Sequence, residues 1–149
     1  MTYPIIKIFK TKGWILLPDH RKELMQYRLE MADERLHSAK ILLEDGSFKD
    51  SIGRSYYAMF TSVRALLALE GQDFSKHSGV IAYFQKEYIK TGKLDKKYSK
   101  YISQAFQIRN NTDYADFFIV SQQDAALQYE KADEFLRVIK EYLENNTSI

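Results

Sequence analysis

At 149 residues and 17.5 kDa, the chain has room for one domain with a core of its own. It has no cysteine, which excludes a disulfide framework and a thiolate metal site and fits a cytoplasmic location. Net charge is only +2, yet residues 111–149 hold eight acids against Lys131, Arg137 and Lys140, so the positive excess lies upstream.

Residues 1–18 read as a non-helical arm. Two short apolar runs flank Thr11-Lys12-Gly13, the pattern of a small hairpin or of two extended pieces. The run at 14–17 is too short for a secretory signal core, and no segment is long enough to span a membrane. The arm reads equally as a docking segment or as a disordered extension, with Met25 as an alternative start.

A helical bundle is expected over residues 19–145. Pro18-Asp19 opens the first helix, with Asp19 as N-cap. Met25, Leu29, Ala32, Leu36, Ala39 and Leu43 step by four and three, a narrow heptad seam. Asp45-Gly46 ends it, with Gly46 suited to the left-handed position past a helix end. Ser47 and Asp50 have the spacing of a capping box, so Gly46-Ser47 is a tight corner between two antiparallel helices.

Residues 51–69 are the most apolar stretch. Ile52, Tyr56, Met59, Val63 and Leu66 mark one helical face, and Tyr57, Phe60, Leu67 and Ala68 fill a second. A helix apolar on nearly all sides belongs in the middle of a bundle.

A third helix is expected over 76–90, with Val80, Ile81, Phe84 and Tyr88 inward, stopped by Thr91-Gly92. The fourth is expected over 94–109, ending in a turn at Asn110-Asn111-Thr112, residues that favour turns over helix interiors. Residues 114–120 read as a short aromatic connector. Tyr101, Phe106, Tyr114, Phe117 and Phe118 are expected to cluster around the Arg109 turn, as core or as a dimer surface. Ser121 and Asp124 offer a second capping box. The last helix carries Ala125, Tyr129, Ala132, Leu136, Ile139 and Leu143 in the same four-three pattern and frays at 145–149. The fold class is all-α, an antiparallel up-and-down bundle of four to five helices.

The chain has no Gly-rich phosphate loop and no His pair spaced for zinc, so neither a metal nor a cofactor is expected. Its one polar cluster in an apolar context runs from Arg109 through Asn110 and Asp113 to Tyr114. An Arg at a helix C-terminus complements the helix dipole and pairs with a nearby Asp. Alternatively its planar fork, with the amides and the phenol, takes a phosphate. His77, between Ser75 and Ser78, marks either a capping turn or a place for an anion. Arg54 is either a boundary charge or points into a cleft shared with Arg109. Residues 86–100 hold six lysines against Glu87 and Asp95. That run is a solvated face or a phosphate-facing patch that includes Lys96 and Lys97.

Four pieces in order carry a family resemblance: Arg54-Ser55-Tyr56-Tyr57-Ala58-Met59-Phe60, His77-Ser78-Gly79-Val80-Ile81, Thr91-Gly92-Lys93-Leu94-Asp95, and Arg109 with Asp113-Tyr114-Ala115-Asp116-Phe117. Over about residues 22–143 the chain resembles the HEPN family (higher eukaryotes and prokaryotes nucleotide-binding), and most closely its small stand-alone prokaryotic branch. The resemblance implies a helical bundle that pairs as a homodimer. It also implies a toxin-system role acting on RNA or a nucleotide, with a minimal nucleotidyltransferase as antitoxin partner.

Active members of that family are metal-independent RNases. Their motif is an Arg, often followed by a polar residue, with a His four to six residues on. Arg109 and Asn110 match its first part. Asp113, Tyr114 and Ala115 occupy the places where the His would stand. Carried onto this chain, the family's chemistry makes Arg109 the phosphate holder and Asp113, Tyr114 or His77 the proton handler. Arg54, His77, Asn110, Lys96 and Lys97 are then candidate RNA or nucleotide contacts. The alternatives are a non-catalytic binding module, a nucleotidyltransferase partner, and a structural helical dimer.

Overall fold

The computed structural model describes residues 5–7, 14–16 and 20–147. Strands β1 (Ile5–Lys7) and β2 (Trp14–Leu16) pair antiparallel, with Ile5 opposite Leu16 and Lys7 opposite Trp14. The paired form of the arm is therefore the one found. Its docking role and the capping role of Asp19 lie outside the described residues; the residue flanking the first helix is His20.

Five helices follow: α1 (Arg21–Asp45), α2 (Phe48–Glu70), α3 (His77–Phe84), α4 (Lys97–Tyr114) and α5 (Gln122–Asn146). They form the expected all-α up-and-down bundle. Helix α2 touches each of the other four. Its Ile52, Tyr56, Met59, Val63, Leu66 and Leu67 are no more than 1% exposed, because neighbours cover every side of the helix except the one that carries Asp50 and Arg54. From α1, Met25, Leu29, Ala32 and Ala39 are buried. From α5, Gln128 takes the buried place expected for Tyr129, and Phe135 joins Leu136, Ile139 and Leu143. The α5 stripe is wider than a heptad seam because both α1 and α2 cover it.

The corner between α1 and α2 is a Schellman motif. Gly46, at φ 87°, lets its own N–H reach the Leu43 carbonyl and the Ser47 N–H reach the Leu42 carbonyl. The capping box expected at Ser47 and Asp50 does not form. Ser47 has ψ 70°, outside the extended geometry of a capping residue, and its hydroxyl turns back to Asp45 Oδ2 at 3.0 Å. At α5 the box does form: Asp124 N–H donates to Ser121 Oγ at 3.1 Å, and Ser121 N–H donates to Asp124 Oδ2 at 3.2 Å.

Two helix boundaries differ from expectation. The third helix passes at Gln85–Ile89 into a π-helical turn, closed by Lys90 N–H on the Gln85 carbonyl at 2.9 Å. Both phenols of this region are tied to one carboxylate on α2, since Tyr83 and Tyr88 each donate to Glu70 at 2.7 Å. The fourth helix starts later than residue 94 and does not end at Arg109. It continues through Asn110, Asn111 and Thr112 to Tyr114. Low helix propensity is only a few tenths of a kcal/mol per residue, and side-chain bonds across the last turn outweigh it here.

Candidate functional site

The bonds that outweigh it belong to Arg109. Its Nε donates to Asp113 Oδ2 at 2.9 Å, one helical turn away, and Thr112 Oγ1 bonds the Arg109 carbonyl at 2.8 Å. Because α4 keeps its helical path, Arg109 and Asp113 share one face. That face meets the start of α2. Together they line a cleft of about 390 Å³ whose walls are Leu42, Lys49, Asp50, Gly53, Arg54, Tyr57, Arg109 and Asp113. The Arg109 guanidinium lies 5.3 Å from the centre of the Tyr57 ring, a cation–π contact that holds its plane.

The same Tyr57 ring has His77 on another side, at 5.8 Å and edge-on. His77 opens α3 and lies in a nest of rings. It stacks on Phe60 at 4.1 Å and sits 6.1 Å from Phe106, one turn before Arg109 on α4. Its Nδ1 is 2.8 Å from the hydroxyl of Tyr56, a residue with no exposed surface. Burial lowers the His77 pKa from its ordinary 6.5, and the positive charges of Arg109 and Arg64 lower it further. Burial, reinforced by Tyr57, raises the pKa of Tyr56.

The loop that delivers His77 is anchored from behind. Gly71, at φ 71°, ends α2 in a second Schellman turn. Asp73 then takes Arg64 at 3.0 Å and Arg28 at 3.6 Å, while Arg28 also donates to the Arg64 carbonyl. Burial and the neighbouring Arg64 lower the Arg28 pKa to about 10, against the opposing pull of Asp73.

The candidate residues thus separate into three groups. Arg54, Arg109 and Asp113 line one cleft. Asn110 adjoins it, its Oδ1 accepting a long 3.4 Å bond from Arg109, and His77 lies behind the shared Tyr57 ring. Tyr114 is 77% exposed and is not among the cleft walls, and Phe117 is 98% exposed. The expected aromatic cluster is accordingly split: Tyr101 and Phe106 pack on the core, while Tyr114 and Phe117 face solvent. Lys96 and Lys97 stand at the opposite end of α4 from Arg109, and Lys97 pairs with Glu134 at 2.9 Å.

Sequence reasoning placed Tyr57 in the core and passed over Lys49, Gly53 and Tyr56 as parts of a site. One signal was present. Gly53 is a glycine inside a helix with no positive φ to explain it, and a Cβ there would meet nothing within 4 Å. Such a glycine keeps a helix face open.

Comparison with known proteins identifies the family. The HEPN domain model matches residues 25–142. A UPF0332 protein of Thermotoga maritima is 35% identical over 127 residues, covering 85% of this chain and 96% of its own. "Putative toxin MJ0605" of Methanocaldococcus jannaschii is 33% identical over 129 residues, covering 87% and 95%. "Putative toxin MJ0142" of the same organism is 33% identical over 122 residues, covering 82% and 83%. The chain belongs to the HEPN domain family.

Proposed function

We propose that this chain is a toxin-like HEPN protein that acts on RNA by holding a backbone phosphate in the cleft between Arg54 and Arg109. The observation that carries this reading is that two arginines, one from α2 and one from α4, line a single cleft that a tyrosine ring also walls. Guanidiniums match phosphate geometry, and an aromatic wall suits a ribose or base. The toxin names of two relatives support the biological class.

Binding is better supported than cleavage. Metal-free cleavage of RNA needs a base for the 2′-hydroxyl, an acid for the leaving oxygen and positive charge at phosphorus. Arg109 supplies the charge. Asp113 is already engaged by Arg109, and Tyr114 stands outside the cleft walls.

The test is a short RNA, scored for binding at low salt and for cleavage with EDTA present, with the wild type against Arg109→Ala. Binding lost in the variant without turnover in either supports the phosphate-holding reading. Turnover lost in the variant establishes an RNase centred on Arg109. Binding equal in both proteins removes Arg109 from the site.

Pairing of two copies is a second reading, favoured by the exposed Tyr114, Phe117 and Ile119 beside the end of α4. A light-scattering mass of two chains supports it, and one chain at micromolar concentration counts against it. The minimal nucleotidyltransferase that the family resemblance implies is the protein partner to test by co-purification.

A further inference from the structure

We propose that Tyr56 is a positioning residue that holds His77 as its Nε2–H tautomer, so that His77, across the Tyr57 ring from the cleft, presents an uncharged hydrogen-bond donor to the RNA backbone beside the phosphate held at Arg109. This rests on the phosphate-holding reading above and assigns His77 a role other than proton acceptor.

The argument begins with the phenol. Tyr56 has no exposed surface, and its hydroxyl lies 2.8 Å from His77 Nδ1. A buried O–H left without an acceptor costs about 1–3 kcal/mol. Burial also disfavours the phenolate, so the proton stays on oxygen. The arrangement that satisfies it is donation from the Tyr56 hydroxyl to Nδ1. Nδ1 accepts only when it carries no hydrogen, and a neutral imidazole then carries its hydrogen on Nε2.

The surroundings keep the ring neutral. The charged and titratable groups around His77 are Tyr56, Tyr57 and Arg64 from α2 and Arg109 from α4, and both cations oppose a third positive charge. The rings of Phe60 and Phe106 restrict it sterically and add no charge. His77 and Arg109 each lie within 6 Å of the centre of one tyrosine ring, Tyr57. His77 is not one of the cleft walls, so the neutral donor stands across the Tyr57 ring from the Arg109 cleft, where an RNA strand held at Arg109 would reach it through a neighbouring phosphate. In this tautomer the ring nitrogen left free by Tyr56 has no lone pair to take a proton.

The tautomer is read by NMR of histidine-labelled full-length protein, with the His77 signals assigned by their loss in His77→Gln. The expected wild-type spectrum at pH 7.5 shows hydrogen on Nε2 alone. Tyr56→Phe keeps the ring and removes the hydroxyl, and is expected to give mixed tautomers and a raised His77 pKa. Hydrogen on Nδ1 in the wild type, or an unchanged tautomer in Tyr56→Phe, overturns the assignment.

The donor role is read separately with a short single-stranded RNA. His77→Phe is expected to weaken binding about two- to tenfold, the range of one net hydrogen bond. His77→Gln, whose amide N–H replaces Nε2–H, is expected to restore most of it. Failure of His77→Gln to restore binding overturns the donor role. RNA that binds neither wild type nor variant sinks the phosphate-holding reading and the donor role together, while the free-protein tautomer still decides what Tyr56 does.

Discussion

Arg109 and Asp113 are joined at 2.9 Å because α4 continues one turn beyond Arg109, and that turn gives the cleft both its cation and the anion that covers it. Asp113 is about half exposed, so the pair contributes only about 0–1 kcal/mol to the fold. Its larger effect is competition with an incoming phosphate. Asp113→Asn is expected to tighten binding of a short RNA several-fold while moving the melting temperature by no more than a few degrees. Fluorescence anisotropy and thermal melting check both halves. Weaker binding in the variant would mean that Asp113 aims Arg109 rather than masking it.

Cations that hold phosphate leave a signature in salt. On a single strand, each phosphate that a protein cation neutralises adds about 0.7 to the steepness of log affinity against log salt. Arg54→Ala and Arg109→Ala are each expected to lower the steepness by about that amount. Lys96→Ala and Lys97→Ala, at the far end of α4, are expected to leave it unchanged for an oligonucleotide of three or four nucleotides. A reversed ranking would move the site to the lysine-rich end.

Gly53 offers a separation of stability from function. An alanine at a helical position with no clash is expected to stabilise α2 by about 0.5–1 kcal/mol. Its methyl group would enter the cleft between Arg54 and Tyr57, so Gly53→Ala is expected to melt higher and bind RNA more weakly. Denaturant titration and binding on the same preparation test this. A variant that melts higher with unchanged affinity would show that the ligand keeps clear of the α2 wall.

The two serines at helix starts should differ. Ser121→Ala removes a hydroxyl that accepts the Asp124 N–H and is expected to cost about 1 kcal/mol. Ser47→Ala removes only an exposed bond to Asp45 and is expected to cost a few tenths. Urea unfolding of both variants, read as shifts in midpoint at constant slope, makes the comparison. Equal losses would put a cap at Ser47 in solution.

His77 should also impose a pH dependence on stability. Its pKa in the folded state lies below the ordinary 6.5. Above 6.5 both folded and unfolded forms are neutral at this site and it has no effect. As pH falls from 6.5 towards the folded value, the unfolded chain takes up a proton that the folded chain does not, so stability falls. Melting curves between pH 7.5 and 5.5 are expected to show this loss in the wild type and less of it in His77→Gln. An identical pH profile in the two proteins would mean that the ring titrates normally in the folded state.

What the sequence determined by itself is everything written in local chemistry. The glycine corner at Gly46, the box at Ser121 and Asp124, and the four-three spacing from Met25 and from Ala125 are set by neighbours a few residues apart. So was the central place of α2, since a helix apolar on nearly all sides can be satisfied only by burial on those sides. The sequence left two readings open for Arg54, and in the fold Arg54 and Arg109 line the same cleft. Two departures come from local bonds that propensity and spacing did not rank, and one was decided only by tertiary structure. Helix α4 runs on through Asn110, Asn111 and Thr112 because an ion pair and a hydroxyl bond across its last turn outweigh weak propensities. Ser47 does not cap α2 because the tight turn after Gly46 leaves it outside capping geometry. His77 meets Tyr56 and Tyr57, more than twenty residues away in the case of Tyr56, because the Arg28–Arg64–Asp73 knot fastens the loop before it. No spacing in a single sequence encodes that meeting, since it depends on how separate helices pack against α2.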